Sequence, residues 1–274
     1  MTQYAANDGV RIAWERRPAA GGPPATTPVV LVHGLGYARW GWDGLLDLLT
    51  TAGHDVVLFD NRGIGDSDVP VGPYTAAEMA GDVIAVLDDA GIERAHIVGS
   101  SLGGMVAQEV ALGWPERIDR LVLLSTTPGG ADAVPMPQQT LDLLSAMPDM
   151  EPLEALHAAI TNALAPGWVE RRPALVEQIL RHRLDAPQDP AGWQSQAHAG
   201  TTYDGGDRLG TIAAPTLVLH GDQDVVVAPA NGQLLGERIP DANLVVLEGH
   251  GHLPFWEDPA RVADELLDFF VRNP

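Results

Sequence analysis

Short apolar runs alternate with amphipathic segments along most of the chain. "PVVLVHG", "HDVVLFD", "AHIVGS" and "IDRLVLLST" are brief, rich in β-branched residues and apolar at nearly every position. That is the pattern of strands buried on both faces of a parallel sheet. Between them, residues 42–52, 76–90 and 102–113 carry apolar side chains at helical spacing. In "AAEMAGDVIAVLDDAGI", Met79, Val83, Val86 and Leu87 recur on one face, and Gly91 supplies a C-terminal stop. The βαβα alternation predicts an α/β fold with a central, mostly parallel sheet flanked by helices.

The rhythm breaks after residue 127. From 128 to 206 apolar residues fall only at helical spacing, as in "TLDLLSAM", "LEALHAAITNAL" and "ALVEQILRHRL", with prolines between them. Strand patterns return at "APTLVLHG" and "ANLVVLEG", followed by a last helix over 260–272. The expected organisation is one core made of 1–127 and 207–274, interrupted by a helical lid at 128–206, since insertions sit at surface connections. Residues 17–28, rich in Pro and Gly, read as a loop between two early strands.

Composition narrows the chemistry. With 45% hydrophobic residues in 274, the chain can bury a sizeable core. It has no cysteine, which excludes disulfides, thiolate metal sites and a cysteine nucleophile. All 16 basic residues are arginine, so neither a Schiff base nor a P-loop lysine is available. The formal charge of −21 disfavours nucleic acid and anionic membrane surfaces as partners. The N-terminus is polar, with none of the apolar core of a signal peptide, and no apolar run is long enough to span a bilayer. A cytoplasmic protein is the expectation.

The run "HIVGSSLGG" ends a strand in two adjacent serines. A nucleophilic serine there must project from a very sharp strand-to-helix turn, which requires small residues two before and two after it. Around Ser101 these are Gly99 and Gly103; around Ser100 they are Val98 and Leu102. Steric exclusion therefore selects Ser101, at a helix N-terminus whose unpaired N–H groups favour developing negative charge. An oxyanion hole needs two N–H donors. Leu102, following the serine, supplies one; Leu35, in the glycine-bearing loop of "LVHGLGYARW", is the candidate for the second.

Serine also needs a base, and the base an acid to orient it. "TLVLHGDQD" offers Asp222 and Asp224 after one strand, and "NLVVLEGHGH" offers His250 and His252 after the next. Strand position does not separate the members of either pair. The remaining histidines, His33 and His220 among them, are scattered and read as structural or solvated. No metal-binding motif such as HExxH occurs.

The stretches "VVLVHGLG", "VVLFDNRGIGDSD", "AHIVGSSLGGMVAQEVALGWPERIDRLVLLST", "PTLVLHGDQDVVV" and "EGHGHLPFWEDP" together resemble the lid-bearing esterases and lactonases of the α/β-hydrolase superfamily. The likeness covers the whole core and is weakest in the lid. It implies that the acid is the last residue of the G-x-x-D turn, Asp224, and that the base is His252, ahead of "LPFWEDP". It implies a structural role for the loop holding Asp60 and Arg62. The implied activity is serine hydrolysis of a small-molecule ester or lactone, without cofactor or metal. Gly34, Tyr37, Trp40, Trp168 and Trp193 are candidates to line the substrate pocket. "DVPVGPYT", "GIERAHIVG" and "GWQSQAHAGTTYDGGDRL" resemble 3-oxoadipate enol-lactonases, which bind an anionic substrate; Arg171 or Arg172 of the lid could meet it. Two other activities of the fold remain alternatives. A perhydrolase or haloperoxidase-like enzyme would reveal itself by peroxide-dependent turnover, and a receptor-like member by a slow single turnover. Dehalogenases and epoxide hydrolases carry Asp where this chain has Ser101.

Overall fold

The computed structural model describes residues 1–21, 25 and 27–271. Part of the expected 17–28 loop and Arg272, the last residue of the expected final helix, lie outside that set. Eight strands form one sheet: β1 (Gln3–Asn7), β2 (Val10–Arg17), β3 (Val29–Val32), β4 (Val56–Phe59), β5 (Ala95–Ser100), β6 (Ile118–Leu124), β7 (Thr216–Gly221) and β8 (Ala242–Leu247). Their order is β1-β2-β4-β3-β5-β6-β7-β8. β2 runs antiparallel to both β1 and β4, and all later pairings are parallel. The carboxyl ends of β3 and β5–β8 consequently share one edge, where loops can converge on a ligand.

The helices outside the insertion are α1 (Asp43–Thr51), α2 (Ala76–Asp89), α3 (Leu102–Gly113), α9 (Ala230–Arg238), α10 (Pro254–Glu257) and α11 (Pro259–Val271). Alternation along the strands divides the core into two layers. Val30, Val32, Ile97, Leu121 and Val218 pack on α2, α3 and α9 through Met79, Val83, Val106 and Leu235. Val29, Leu31, Val98, Val122 and Leu219 pack on α1 and α11 through Leu45, Leu49, Val262 and Leu266. Helix α2 starts with a reciprocal cap between Thr75 and Glu78, which satisfies two otherwise orphaned N–H groups.

The insertion between β6 and β7 is helical: α4 (Gln138–Ala146), α5 (Pro152–Ala163), α6 (Pro166–Arg171), α7 (Ala174–Asp185) and α8 (Pro190–Thr201). Its neck is closed by hydrogen bonds from Gly130 N–H to the Tyr203 carbonyl, 3.1 Å, and from Gly205 N–H to the Pro128 carbonyl, 2.9 Å. It is also tied to the core loops. The Gln196 amide donates to the Arg62 carbonyl at 2.7 Å, and that of Gln188 donates to the Gly63 carbonyl at 3.2 Å. Among the described residues no helix is long and apolar enough to cross a membrane.

The loop after β4 is held from below by a buried, two-bonded ion pair. Arg62 Nε and Nη2 each donate to the Asp82 carboxylate at 2.7 Å. Removing one partner strands the other charge in the core. Arg62→Met should therefore lower unfolding free energy by about 3 kcal/mol, measured by urea denaturation, with a smaller loss for the double variant Arg62→Met/Asp82→Leu.

Candidate active site

A single residue, Ser101, lies between the end of β5 and the start of α3. Its backbone sits at φ 54° and ψ −120°, a region that side-chain-bearing residues avoid. The conformation is held from both sides: Ser101 N–H donates to the Leu124 carbonyl at 2.9 Å, and its own carbonyl accepts the Thr126 hydroxyl at 2.7 Å. A methyl group at Gly99 would run into the Gly103 carbonyl, and one at Gly103 into the Val32 carbonyl. The turn at Ser101 thus leaves no room for a side chain at either glycine. Ser100 is buried and its hydroxyl has no hydrogen-bond partner among the described residues; Ser101 is only partly buried.

The loop after β3 faces this turn. A Cβ built on Gly34 would stand 2.9 Å from Ser101 Cβ. Among the described residues, neither the Leu35 nor the Leu102 N–H has a hydrogen-bond acceptor. Behind the loop, His33 stacks on Tyr37 with ring centroids 4.6 Å apart and packs against Trp42 and Phe255. Burial holds the His33 imidazole down at about 3, so it remains neutral packing.

The two aspartates occupy different environments. Asp222 is exposed, and its carboxylate accepts Gly249 N–H at 2.7 Å. Asp224 is buried; Oδ1 accepts Val226 N–H and Val227 N–H at 2.8 and 2.9 Å, and Oδ2 accepts His252 Nδ1–H at 2.8 Å. Burial alone would raise the Asp224 carboxyl, but the adjacent His252 and hydrogen bonds from two histidines outweigh it and hold the group far below the usual carboxylate range. His250 points elsewhere, with Nδ1 2.8 Å from the Glu248 carbonyl and its ring against Trp168. Ser101 and His252 are not hydrogen-bonded to each other among the described residues; in unliganded sites such contacts commonly tighten only around substrate.

The remaining candidates are spread around this edge. Tyr37 lies beneath the Arg183 guanidinium, 4.3 Å from it, and Trp40 stacks on His182 of α7 at 4.9 Å. Trp193 lies further out, on a cavity of about 690 Å³ in the insertion that Leu153, Leu156, Leu184 and Arg183 also line. Arg171 and Arg172, the two lid arginines that the resemblance suggested for an anion, both lie at the exposed surface of the insertion. Arg171 covers Trp168 at 4.6 Å, and Arg172 Nη1 donates to the Glu257 carbonyl at 2.9 Å. Among the described residues no cluster of three or more His, Asp or Glu could hold a metal ion.

Three residues at this edge carry no sequence signal. His220 lies 3.2 Å from Asp224 Oδ2. Arg183 lies against Gly36 of the β3 loop, with no carboxylate partner among the described residues and a buried Nε that lacks an acceptor. Glu257 is wholly buried; it accepts Ala165 N–H at 2.6 Å and Gly251 N–H at 2.9 Å. It thereby joins the insertion to the loop that carries His252, whose own N–H donates to the Ala163 carbonyl at 2.9 Å.

The fold and this arrangement define an α/β hydrolase. A family model described as the alpha/beta hydrolase fold matches residues 27–259, and the chain belongs to that family. A 2-hydroxy-6-oxononadienedioate/2-hydroxy-6-oxononatrienedioate hydrolase of Burkholderia vietnamiensis is 33% identical over 252 residues, 89% of this chain and 87% of the relative. 3-Oxoadipate enol-lactonase 2 of Acinetobacter baylyi is 35% identical over 204 residues, 74% of each chain. Among solved structures, a hydrolase from Pseudomonas aeruginosa PA01 superposes with a TM-score of 0.83 at 33% identity, covering 99% of this chain and 98% of its own.

Glu257 makes stability depend on pH. Burial raises its carboxyl from 4.5 to about 7, against the lowering effect of the Ala165 and Gly251 N–H groups. A carboxyl raised on folding stabilises fully below its unfolded value, and that contribution is lost as pH rises through the folded one. Glu257→Gln, which cannot titrate, should gain on the parent by roughly 3 kcal/mol between pH 4.5 and pH 8, read from denaturation midpoints across that window.

Proposed function

We propose that this α/β hydrolase cleaves carboxylic esters or lactones of small to medium size through an acyl-enzyme on Ser101. The observation that carries the reading is the buried Asp224–His252 pair, 2.8 Å apart, on the same sheet edge as the outward serine turn. Ser101 Oγ attacks the carbonyl carbon as its proton passes to His252 Nε2. Asp224 keeps the Nδ1–H, which fixes the ring and stabilises the imidazolium without accepting its proton. The Leu35 and Leu102 N–H groups donate to the carbonyl oxygen as it becomes negative. Collapse breaks the bond to the alcohol oxygen, which takes the proton from His252. Water then gives a proton to His252 as it attacks the acyl carbon; collapse returns that proton to Ser101 and frees the acid. With a lactone, alcohol and acid leave as one molecule. Gly34, Tyr37, Trp40 and Trp168 border the space beside the serine in this reading, and Trp193 borders its approach.

A second, narrower reading is an enol-lactonase-type hydrolase whose substrate bears a carboxylate. Arg183 favours it, being a guanidinium with no carboxylate partner among the described residues, against Tyr37 and Gly36. The relatives' names support it as well, since the dioate and the oxoadipate are both carboxylates.

Ser101→Ala should cut turnover of p-nitrophenyl esters by at least about 10³-fold, while Ser100→Ala keeps most of it; full activity of Ser101→Ala would overturn the reading. The ester panel, graded by acyl length, should be run beside a muconolactone-derived enol-lactone. Activity confined to the lactone selects the second reading. In that case Arg183→Gln should raise the lactone's KM about tenfold more than that of p-nitrophenyl acetate, as loss of one charge-assisted contact predicts.

A further inference from the structure

We propose that His220 is a positioning residue for the Asp224–His252 pair, its ring donating Nε2–H to the carboxylate oxygen that receives His252 Nδ1–H. The inference rests on the reading of Ser101, His252 and Asp224 given above, and it adds a second histidine that the sequence reading set aside as structural or solvated.

An ionised carboxylate has room for about four hydrogen bonds. Asp224 Oδ1 takes two, from Val226 N–H and Val227 N–H. Oδ2 takes one from His252 at 2.8 Å, and His220 Nε2 lies 3.2 Å from the same oxygen. Three hydrogen bonds and the adjacent His220 Nε2 thus surround a carboxylate that is closed off from solvent.

The tautomer of His220 follows from its neighbours. Nε2 lies within reach of two acceptors, Asp224 Oδ2 and the Val227 carbonyl at 3.0 Å, so it carries the hydrogen. Nδ1 is buried with no hydrogen-bond partner among the described residues. A Cβ built on Gly232 of α9 would stand 2.8 Å from it, which explains a glycine inside that helix.

In this proposal the one N–H bonds the Val227 carbonyl at the end of the 224–227 turn and is shared with the carboxylate at its start, 3.2 Å away. It resists rotation of the carboxylate and draws charge from the oxygen bonded to His252. Losing it leaves a buried charge with one donor fewer, which costs more than a solvated hydrogen bond would. The other titratable groups facing the pair are Glu257, next to Gly251, and His33, behind the Gly34 loop. Neither touches Asp224 Oδ2.

The test compares His220→Leu, which removes the donor, with His220→Gln, whose amide restores an N–H near the Nε2 position. Readouts are kcat/KM against pH for p-nitrophenyl acetate, the downfield proton resonance of His252 Nδ1–H, and the melting temperature. His220→Leu should lose about tenfold in kcat, shift the resonance, and move the acid limb to higher pH as the carboxylate pulls harder on His252. His220→Gln should recover most of each. Identical limbs and resonances in parent and both variants, with only the melting temperature lowered, would reduce His220 to packing and overturn the proposal.

Two measurements keep the test informative. If the leucine variant fails to fold, ¹⁵N spectra of the parent's His220 decide: an Nε2–H with scalar coupling across the hydrogen bond to the Asp224 carboxylate carbon supports the proposal, and an Nδ1–H form, or an Nε2–H coupled only to the Val227 carbonyl, overturns it. The resonance and the tautomer are independent of turnover, so they still report on His220 if Ser101→Ala shows the serine reading to be wrong.

Discussion

The reversal of the chain at Ser101 is the constraint on which the surrounding architecture depends. One residue turns a buried strand into a helix at a backbone angle that costs about 1–3 kcal/mol. The structure sustains it by bonding the residue on both sides to β6 and the segment after it, through Leu124 and Thr126. The absence of side chains at Gly99 and Gly103 lets the first turn of α3 lie directly on the ends of β5 and β3. That contact brings the Gly34 loop against the serine. Had either glycine carried a methyl group, the helix would have to lift away from the sheet and the two loops would part.

Two buried carboxyl groups beside His252 are tuned in opposite directions. Asp224 has more donors than burial can offset and stays ionised. Glu257 has two backbone donors in a closed environment, and burial wins. The difference suits their positions: a permanent negative charge orients the imidazole, whereas Glu257 holds backbone together without placing a second full charge beside it near neutrality. Because its two oxygens bind Ala165 and Gly251, the helical insertion and the loop of His252 are one mechanical unit on this side of the site. The Arg172 bonds to the carbonyls of Trp256 and Glu257 reinforce that attachment.

Much of the fold was legible in the chain. Runs such as "VVLV" and "VVLF" became four-residue strands buried at every position, and Met79, Val83, Val86 and Leu87 face the core from α2 as their spacing predicts. The glycines around Ser101 could be read because their effect is confined to a few successive residues. Asp222 and Asp224 could not be separated in the same way. They are two positions apart on one turn, and what distinguishes them is a histidine 28 residues further on.

The sequence by itself determined the alternation of strands and helices, the helical insertion and the serine that the turn can accommodate. These follow from periodicity and steric exclusion over a handful of neighbouring residues. Only the tertiary structure decided which carboxylate meets His252, that His220 lies beside its oxygen, that Glu257 joins the insertion to the core, and that Arg183 lies against the Gly34 loop with no carboxylate partner among the described residues. Each depends on where separate strand ends and loops meet in space, and hydrogen bonding and burial across such distances leave no periodic trace in the chain.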